Sequence, residues 1–210
     1  LKEYFGTADG VVDFIGDAEI LVTQLAPMSR GMLERLPKLK MIAVSRGGPV
    51  NIDMAAARDH GVLVVNTPGR NASAVAEFTL GAMLAETRKI REGHEALRRG
   101  DWRGDLYRAD VTGRELNEMT VGVIGYGNIG REMAKLAQAF GMEVAVHARP
   151  RHKEWIESEG FIFAATPEDA AKGADVISVH TGLGALKCGW RHDEETRHGK
   201  TIGHSTDVVV

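Results

Sequence analysis

Cysteine is almost missing. The single residue, Cys188, excludes an internal disulfide framework, and a cytoplasmic, reducing setting is the default expectation. Long apolar runs are missing too. None reaches the roughly 18 residues needed to cross a bilayer, so no membrane partner is expected. The opening LKEYFGTADG is mixed and polar, without the pattern of a signal peptide. Charge of one sign is not in excess: 26 Lys and Arg stand against 29 Asp and Glu, a net charge of −3. That balance gives no reason to expect a nucleic-acid partner. There is no internal repeat and no low-complexity tract. What is present is a 210-residue chain, 43% hydrophobic and 26% charged, in the proportions of one or two compact units. It begins at Leu1 and ends on DVVV, and both ends read as cut, so a fragment is expected.

Short apolar runs alternate with helical stretches along the first 70 residues. AEILVTQL (18–25), LKMIAVSRGG (39–48) and VLVVNTPG (62–69) read as strands, the last broken by Pro68. MSRGMLERLPKL reads as a short helix, and NIDMAAARDHG (51–61) as a helix with Asn51 as its N-cap and Gly61 at its end. Continuously apolar strands between helices predict a parallel sheet covered on both faces. Residues 71–99 read as one long helix, apolar on more than one face and so buried between two units. The mixed stretch 100–117 reads as a loop crossing into a second domain. There TVGVIG, MEVAVHA, FIFA and DVISVH read as strands separated by helices, the first helix being NIGREMAKLAQAFG. After His180 no apolar period survives, and the tail reads as irregular. Its evenly spaced His192, His198 and His204 are not taken as a metal site, and no metal is expected.

GYGNIG (125–130) carries the chemistry. Gly125, Gly127 and Gly130 fit G-x-G-x-x-G, and the pattern sits between a strand and a helix, as the mechanism requires. The first glycine allows the turn, the second lets a pyrophosphate reach the backbone, and the third lets the helix pack on the strand. Free N–H groups of Gly127, Asn128 and Ile129, with Tyr126 in the turn, then face the phosphates. A simple tight connection is the alternative. An NAD enzyme places a carboxylate about 20 residues on, at the end of the second strand. Here that strand ends VHARPR, with no carboxylate and with Arg149 and Arg151 instead. Two guanidiniums suit a 2′-phosphate, which favours NADP over NAD, unless both arginines are merely solvated loop charges.

Three stretches then carry a resemblance: LKMIAVSRGGPVNIDMAAARDHGVLVVNTPGRNASAVAEFTLGAML, TGRELNEMTVGVIGYGNIGREMAKLAQAFGMEV and GADVISVH. In this order, from about Ala18 to His180, they resemble the D-isomer-specific 2-hydroxyacid dehydrogenases, the family of phosphoglycerate dehydrogenase and the glyoxylate/hydroxypyruvate reductases. The resemblance implies an α/β chain of two flavodoxin/Rossmann-like, doubly wound parallel-sheet domains with a cleft between them, both incomplete here. Residues 1–70 would be part of the substrate domain, 71–100 an interdomain helix, and 101–210 the nucleotide domain with an aberrant tail over 181–210. It also implies that Gly47, Gly48 and Val50 offer N–H groups to the substrate carboxylate; Pro49 has none to offer. Val75 would lie near the nicotinamide, and His180 and Thr181 near the adenosine side.

The implied reaction is hydride transfer between a nicotinamide and a small 2-hydroxy or 2-keto acid. An arginine, a glutamate and a histidine would serve the developing alkoxide. All three would lie beyond this chain, so no catalytic residue is assigned. Glu195, Thr196 and Arg197 resemble a later family stretch, but Arg191, Glu194 and His198 are given no role. A phosphorylated substrate would want a cation after AEILVTQLAP, where Thr23 and Gln24 stand and Arg30 already belongs to the next helix. This disfavours 3-phosphoglycerate. A homodimer is expected of the intact enzyme. The competing reading is a non-catalytic NAD(H)-binding module of the corepressor type.

Overall fold

The computed structural model describes residues 6–181 and the pair Val208–Val209. The chain divides into two compact units, Leu1–Arg70 and Asn71–Val210.

The first unit begins with a helix that the sequence reading passed over. Thr7 accepts a hydrogen bond from the N–H of Gly10 at 3.1 Å and starts α1, Ala8–Ile15. The unit continues as β1 (Ile20–Thr23), α2 (Arg30–Leu33), β2 (Met41–Val44), α3 (Met54–Asp59) and β3 (Leu63–Asn66). The strands form a parallel sheet in the order β1-β2-β3. The expected cap of α3 is corrected. Asp53, not Asn51, caps it, its carboxylate accepting from the N–H of Ala56 at 2.9 Å. The amide of Asn51 instead donates to the carbonyl of Ala26 at 2.8 Å. An N-cap oxygen must reach the N–H two or three residues ahead, and Asp53 holds that position for this helix.

Among the described residues of this unit the sheet is covered on one face only. Leu21, Ile42 and Val64 are paired across the three strands and meet the core built from α1, α2 and α3. The alternate residues Ile20, Val22, Leu63 and Val65 are exposed. Side chains alternate between faces along a strand. All three helices lie on one side, so the other side keeps its apolar residues in solvent.

In the second unit, α4 (Ala72–Thr87) and α5 (Ile90–Arg98) replace the single expected helix. The break is at Lys89, in the left-handed region at φ 54°. Gly113 packs so closely against the end of α4 that a Cβ there would stand 1.9 Å from the carbonyl oxygen of Thr87, and Arg88 donates to the Gly113 carbonyl at 3.2 Å. The loop over 100–117 thus meets the helix where the helix ends. Short 3-10 turns at Gly104–Tyr107 and Leu116–Glu118 lead to β4.

The rest of the unit runs β4 (Thr120–Ile124), α6 (Asn128–Ala139), β5 (Glu143–His147), α7 (Lys153–Ser158), β6 (Ile162–Ala164), α8 (Pro167–Ala171), β7 (Val176–Val179) and β8 (Val208–Val209). All its strands are parallel, in the order β6-β5-β4-β7-β8. The chain winds outward from β4 through β5 to β6, then restarts on the other side of β4 with β7. This sheet is covered on both faces. Val121 and Val123 of β4 pack under Met133, Ala134 and Ala137 of α6 and Ala76, Leu80 and Met83 of α4. Ile124 and Ile177 pack under Ala170 and Ala171 of α8. Gly122 is what lets α8 approach, because a Cβ there would stand 2.3 Å from the carbonyl oxygen of Ala170. The strand order changes direction between β4 and β7, and an open α/β sheet has its crevice at the carboxyl ends of such strands.

Candidate functional site

The carboxyl end of β4 enters the glycine turn directly. Gly125 has φ +104°, a conformation that side-chained residues rarely adopt. Its N–H donates to the carbonyl of His147, the last residue of β5, at 2.9 Å. On the other side the N–H of His180, just past β7, donates to the carbonyl of Ile124 at 2.8 Å. A Cβ on Gly125 would come within 2.7 Å of both the His180 carbonyl oxygen and Thr181 Cγ2. A Cβ on Gly130 would come within 1.9 Å of the Gly125 carbonyl oxygen and 3.5 Å of the His180 Cβ. Gly125, Gly130, His180 and Thr181 are therefore brought together at the crevice.

Gly127 differs from both. Nothing lies within 4 Å of the position its Cβ would take. It is the N-cap of α6, where the first N–H groups of the helix have no partner within the helix. Unpartnered N–H groups at a helix start, with open space beside Gly127, fit a dinucleotide pyrophosphate, as the charge of a helix N-terminus favours. Gly127, Asn128 and Ile129 carry those N–H groups.

The side chain of Tyr126, in the turn itself, is engaged on the side of α7. It is buried, and its hydroxyl donates to Glu159, just past α7. Glu159 also accepts from Arg131 of α6, with Nε at 3.2 Å, and from the indole N–H of Trp155 at 3.1 Å. The Arg131 guanidinium lies 4.5 Å above the Trp155 ring, and the Trp155 and Phe161 rings meet Tyr126 edge-on at 5.3 and 6.1 Å. The hydrogen bonds from Arg131, chiefly, and those from Tyr126 and Trp155 hold the Glu159 carboxyl down at about 2. Burial, then the bond to Glu159, pushes the Tyr126 phenol above its ordinary range. This brace ties the glycine turn and the first turns of α6 to α7. No sequence pattern announces it, because its four members come from separate segments.

His180 Nε2 and the buried Ser178 Oγ are hydrogen-bonded at 2.7 Å, and burial pushes the histidine below its ordinary 6.5. Thr181 Oγ1 is buried without a hydrogen-bond partner among the described residues. Arg149 and Arg151 follow β5, are exposed, and pair with no carboxylate among the described residues; Arg151 Nε donates to His152 at 3.1 Å. Val75 is half-buried in the first turn of α4, outside the glycine turn itself. No group of three or more metal-ligating side chains occurs among the described residues, and no helix among them is long and apolar enough to cross a membrane. Arg191, His192, Glu194, Glu195, Thr196, Arg197, His198 and His204 lie outside the described residues.

In the first unit the loop after β2 carries the other predicted residues. The N–H of Val50 donates to the Gly48 carbonyl at 3.0 Å, within the loop. The N–H groups of Gly47 and Gly48 have no such partner among the described residues. A sequence gives no means of seeing which N–H of a loop folds back on it. Thr23 is buried at the end of β1, and Arg30 is ion-paired with Asp59 at 2.6 Å.

Residues 80–189 match the model of the D-isomer specific 2-hydroxyacid dehydrogenase, NAD binding domain. The chain is 36% identical over 178 residues to D-3-phosphoglycerate dehydrogenase of Methanocaldococcus jannaschii, which covers 84% of this chain and 33% of that protein. It is 34% identical over 208 residues to hydroxypyruvate reductase of Thermotoga maritima, covering 96% of this chain and 62% of that one. D-lactate dehydrogenase of Aquifex aeolicus, solved with NAD and lactic acid, superposes with a TM-score of 0.69 at 26% identity, over 81% of this chain and 50% of that one. The chain thus spans between about a third and two thirds of the length of these relatives.

The glycine geometry separates two substitutions. Gly130→Ala forces α6 away from Gly125 and should lower the unfolding free energy in urea by about 2 kcal/mol or more, the scale of a severe overpacking. Gly127→Ala, in open space, should change it by less than about 0.5 kcal/mol. The brace gives a pH dependence. Glu159 has a depressed pKa, so its contribution is complete above the ordinary 4.5 and is lost as the pH falls towards about 2. Glu159→Gln should be about 1–2 kcal/mol less stable than the wild type at pH 7, and the difference should close by about pH 2.

Proposed function

We propose, from the premise that this chain belongs to the D-isomer specific 2-hydroxyacid dehydrogenase family, that it is the nucleotide-binding and part of the substrate-binding portion of an NADP-preferring oxidoreductase. The substrate is a small D-2-hydroxy or 2-keto acid of the glyoxylate or hydroxypyruvate kind. One observation carries the reading: a glycine turn at the point where the sheet changes direction, left open at Gly127 in front of the first N–H groups of α6.

The dinucleotide pyrophosphate is held by the N–H groups of Gly127, Asn128 and Ile129, with the turn shaped by Gly125 and Gly130. His180 and Thr181 close the adenosine side. Burial pushes the His180 imidazole below its ordinary range, which disfavours its charged form there. Val75 is assigned to the nicotinamide side. When bound, the nicotinamide supplies or accepts the hydride. Arg149 and Arg151 serve a 2′-phosphate: both are exposed, no carboxylate neutralises them among the described residues, and none stands at the end of β5 to repel the phosphate. Gly47 and Gly48 offer their N–H groups to the substrate carboxylate, while Val50 keeps its own. Arg30 is engaged by Asp59, which leaves a substrate phosphate without that partner and supports an unphosphorylated acid.

No residue among 6–181 is assigned the proton transfer. The exposed rings of Phe78, Trp102 and Tyr107 in the second unit support a homodimer formed through that unit. The corepressor-type alternative finds no support in the relatives described above, all of them named as enzymes.

Fluorescence titration with NADPH and NADH tests this reading. NADPH should bind at least about tenfold more tightly, and Arg149→Ala with Arg151→Ala should remove that advantage while leaving NADH within about twofold. Equal affinities in the wild type would reject the 2′-phosphate assignment, and no binding of either would reject the dinucleotide reading as a whole.

A further inference from the structure

The N–H of Ser45 donates to the carbonyl of Thr23 at the end of β1 at 2.8 Å, whereas three successive carbonyls of the loop after β2 are taken from the side of β3. The carbonyl of Ser45 accepts from Arg70 Nε at 2.9 Å, that of Arg46 from the backbone N–H of Thr67 at 3.0 Å, and that of Gly47 from Asn66 Nδ2 at 2.9 Å. All three donors come from the end of β3 and the few residues after it. Asn66 is the last residue of β3 and lies beside Val44 in the sheet register, so its side chain leaves the strand where the loop begins.

Those bonds decide the direction of two N–H groups. A trans peptide is planar, with its C=O and N–H on opposite sides. When the Arg46 carbonyl faces Thr67, the N–H of Gly47 faces away from the end of β3. When the Gly47 carbonyl faces Asn66, the N–H of Gly48 does the same. The two remaining N–H groups are thereby turned in one general direction. They stand in open surroundings, since nothing lies within 4 Å of where a Cβ would sit on either glycine. Two N–H groups aimed together match the two oxygens of a carboxylate.

We propose that Asn66 is a positioning residue for substrate binding: through the Gly47 carbonyl, its side-chain amide holds the N–H of Gly48 in place beside that of Gly47 to receive the acid's carboxylate. This rests on the reading of the loop as the carboxylate site. It assigns the two N–H groups different supports. Gly47 depends on the backbone of Thr67, which no side-chain change removes, and Gly48 depends on the Asn66 side chain.

That difference makes a test. The amide resonances of the 210-residue chain are followed by NMR during titration with glyoxylate, in the wild type and in Asn66→Ala. In the wild type both the Gly47 and Gly48 amides should move. In Asn66→Ala the Gly48 response should fall at least threefold while the Gly47 amide still moves, and the affinity for glyoxylate should drop about tenfold. A general loss of structure would abolish both responses together. Should Asn66→Ala lose the dispersed spectrum of a folded chain, Asn66→Asp decides. It keeps the shape but has no N–H to donate, and the same selective loss at Gly48 is expected. Equal Gly47 and Gly48 responses in wild type and variant would overturn the positioning role and leave the carboxylate site standing. No movement of either amide in the folded wild type would overturn the site and the positioning role together.

Discussion

A Cβ on Gly130 would stand 1.9 Å from the carbonyl oxygen of Gly125, closer than any atom pair tolerates, so hydrogen alone lets α6 start where it does. The rest of the second unit follows from that approach. With α6 drawn down onto the end of β4, Met133, Ala134 and Ala137 reach Val121 and Val123, and α4 can pack across the same surface. The N-terminus of α6 is left facing the sheet's crevice, beside His180 and Thr181. Gly127, one turn position away, has no such crowding. The same motif therefore uses one glycine for packing and leaves open space at another.

The brace of Tyr126, Arg131, Trp155 and Glu159 acts on the same turn from behind. A carboxylate held by a guanidinium, a phenol and an indole is a strong hydrogen-bond centre, and here it connects the turn after β4 with the end of α7. Its effect on the first N–H groups of α6 is indirect, through the fixed position of the Tyr126 and Arg131 backbone. In the first unit the corresponding fastening is lighter and lies nearer the surface. Donors from the end of β3 take the carbonyls of the loop after β2, and the N–H groups of Gly47 and Gly48 are left over. In both loops backbone N–H groups are left without a partner among the described residues, and the neighbouring strand ends set where those groups lie.

Much of this was legible in the sequence, because the constraint is written in residue type. Gly125, Gly127 and Gly130 announce a turn, an opening and a close contact by the absence of a side chain. Alternation of apolar runs and helices predicts the parallel sheets, and it succeeds fully for the second unit. It overreached in the first, where α1, α2 and α3 all fall on one face and Ile20, Val22, Leu63 and Val65 stay exposed. Apolar strands announce that burial is wanted, not which helices provide it. The break at Lys89 was hidden because its neighbours are ordinary helix formers, and Gly113, which packs against the helix end there, is well separated in sequence. Asn51 and Asp53 are equally good caps by type, and only the path of the chain separates them. That the N–H of Val50 folds back on the Gly48 carbonyl could not be read from residue type. The Glu159 brace was missed because tertiary contacts alone assemble it.

The central claim is that the open N-terminus of α6 holds a dinucleotide pyrophosphate. ADP-ribose carries that pyrophosphate without the nicotinamide, so titrating it into the chain, with backbone amide shifts read by NMR, isolates the contact. The account predicts that the largest shifts fall on Gly127, Asn128 and Ile129, with smaller ones at His180 and Thr181. Shifts centred elsewhere, or none at saturating ADP-ribose in a folded chain, would contradict it.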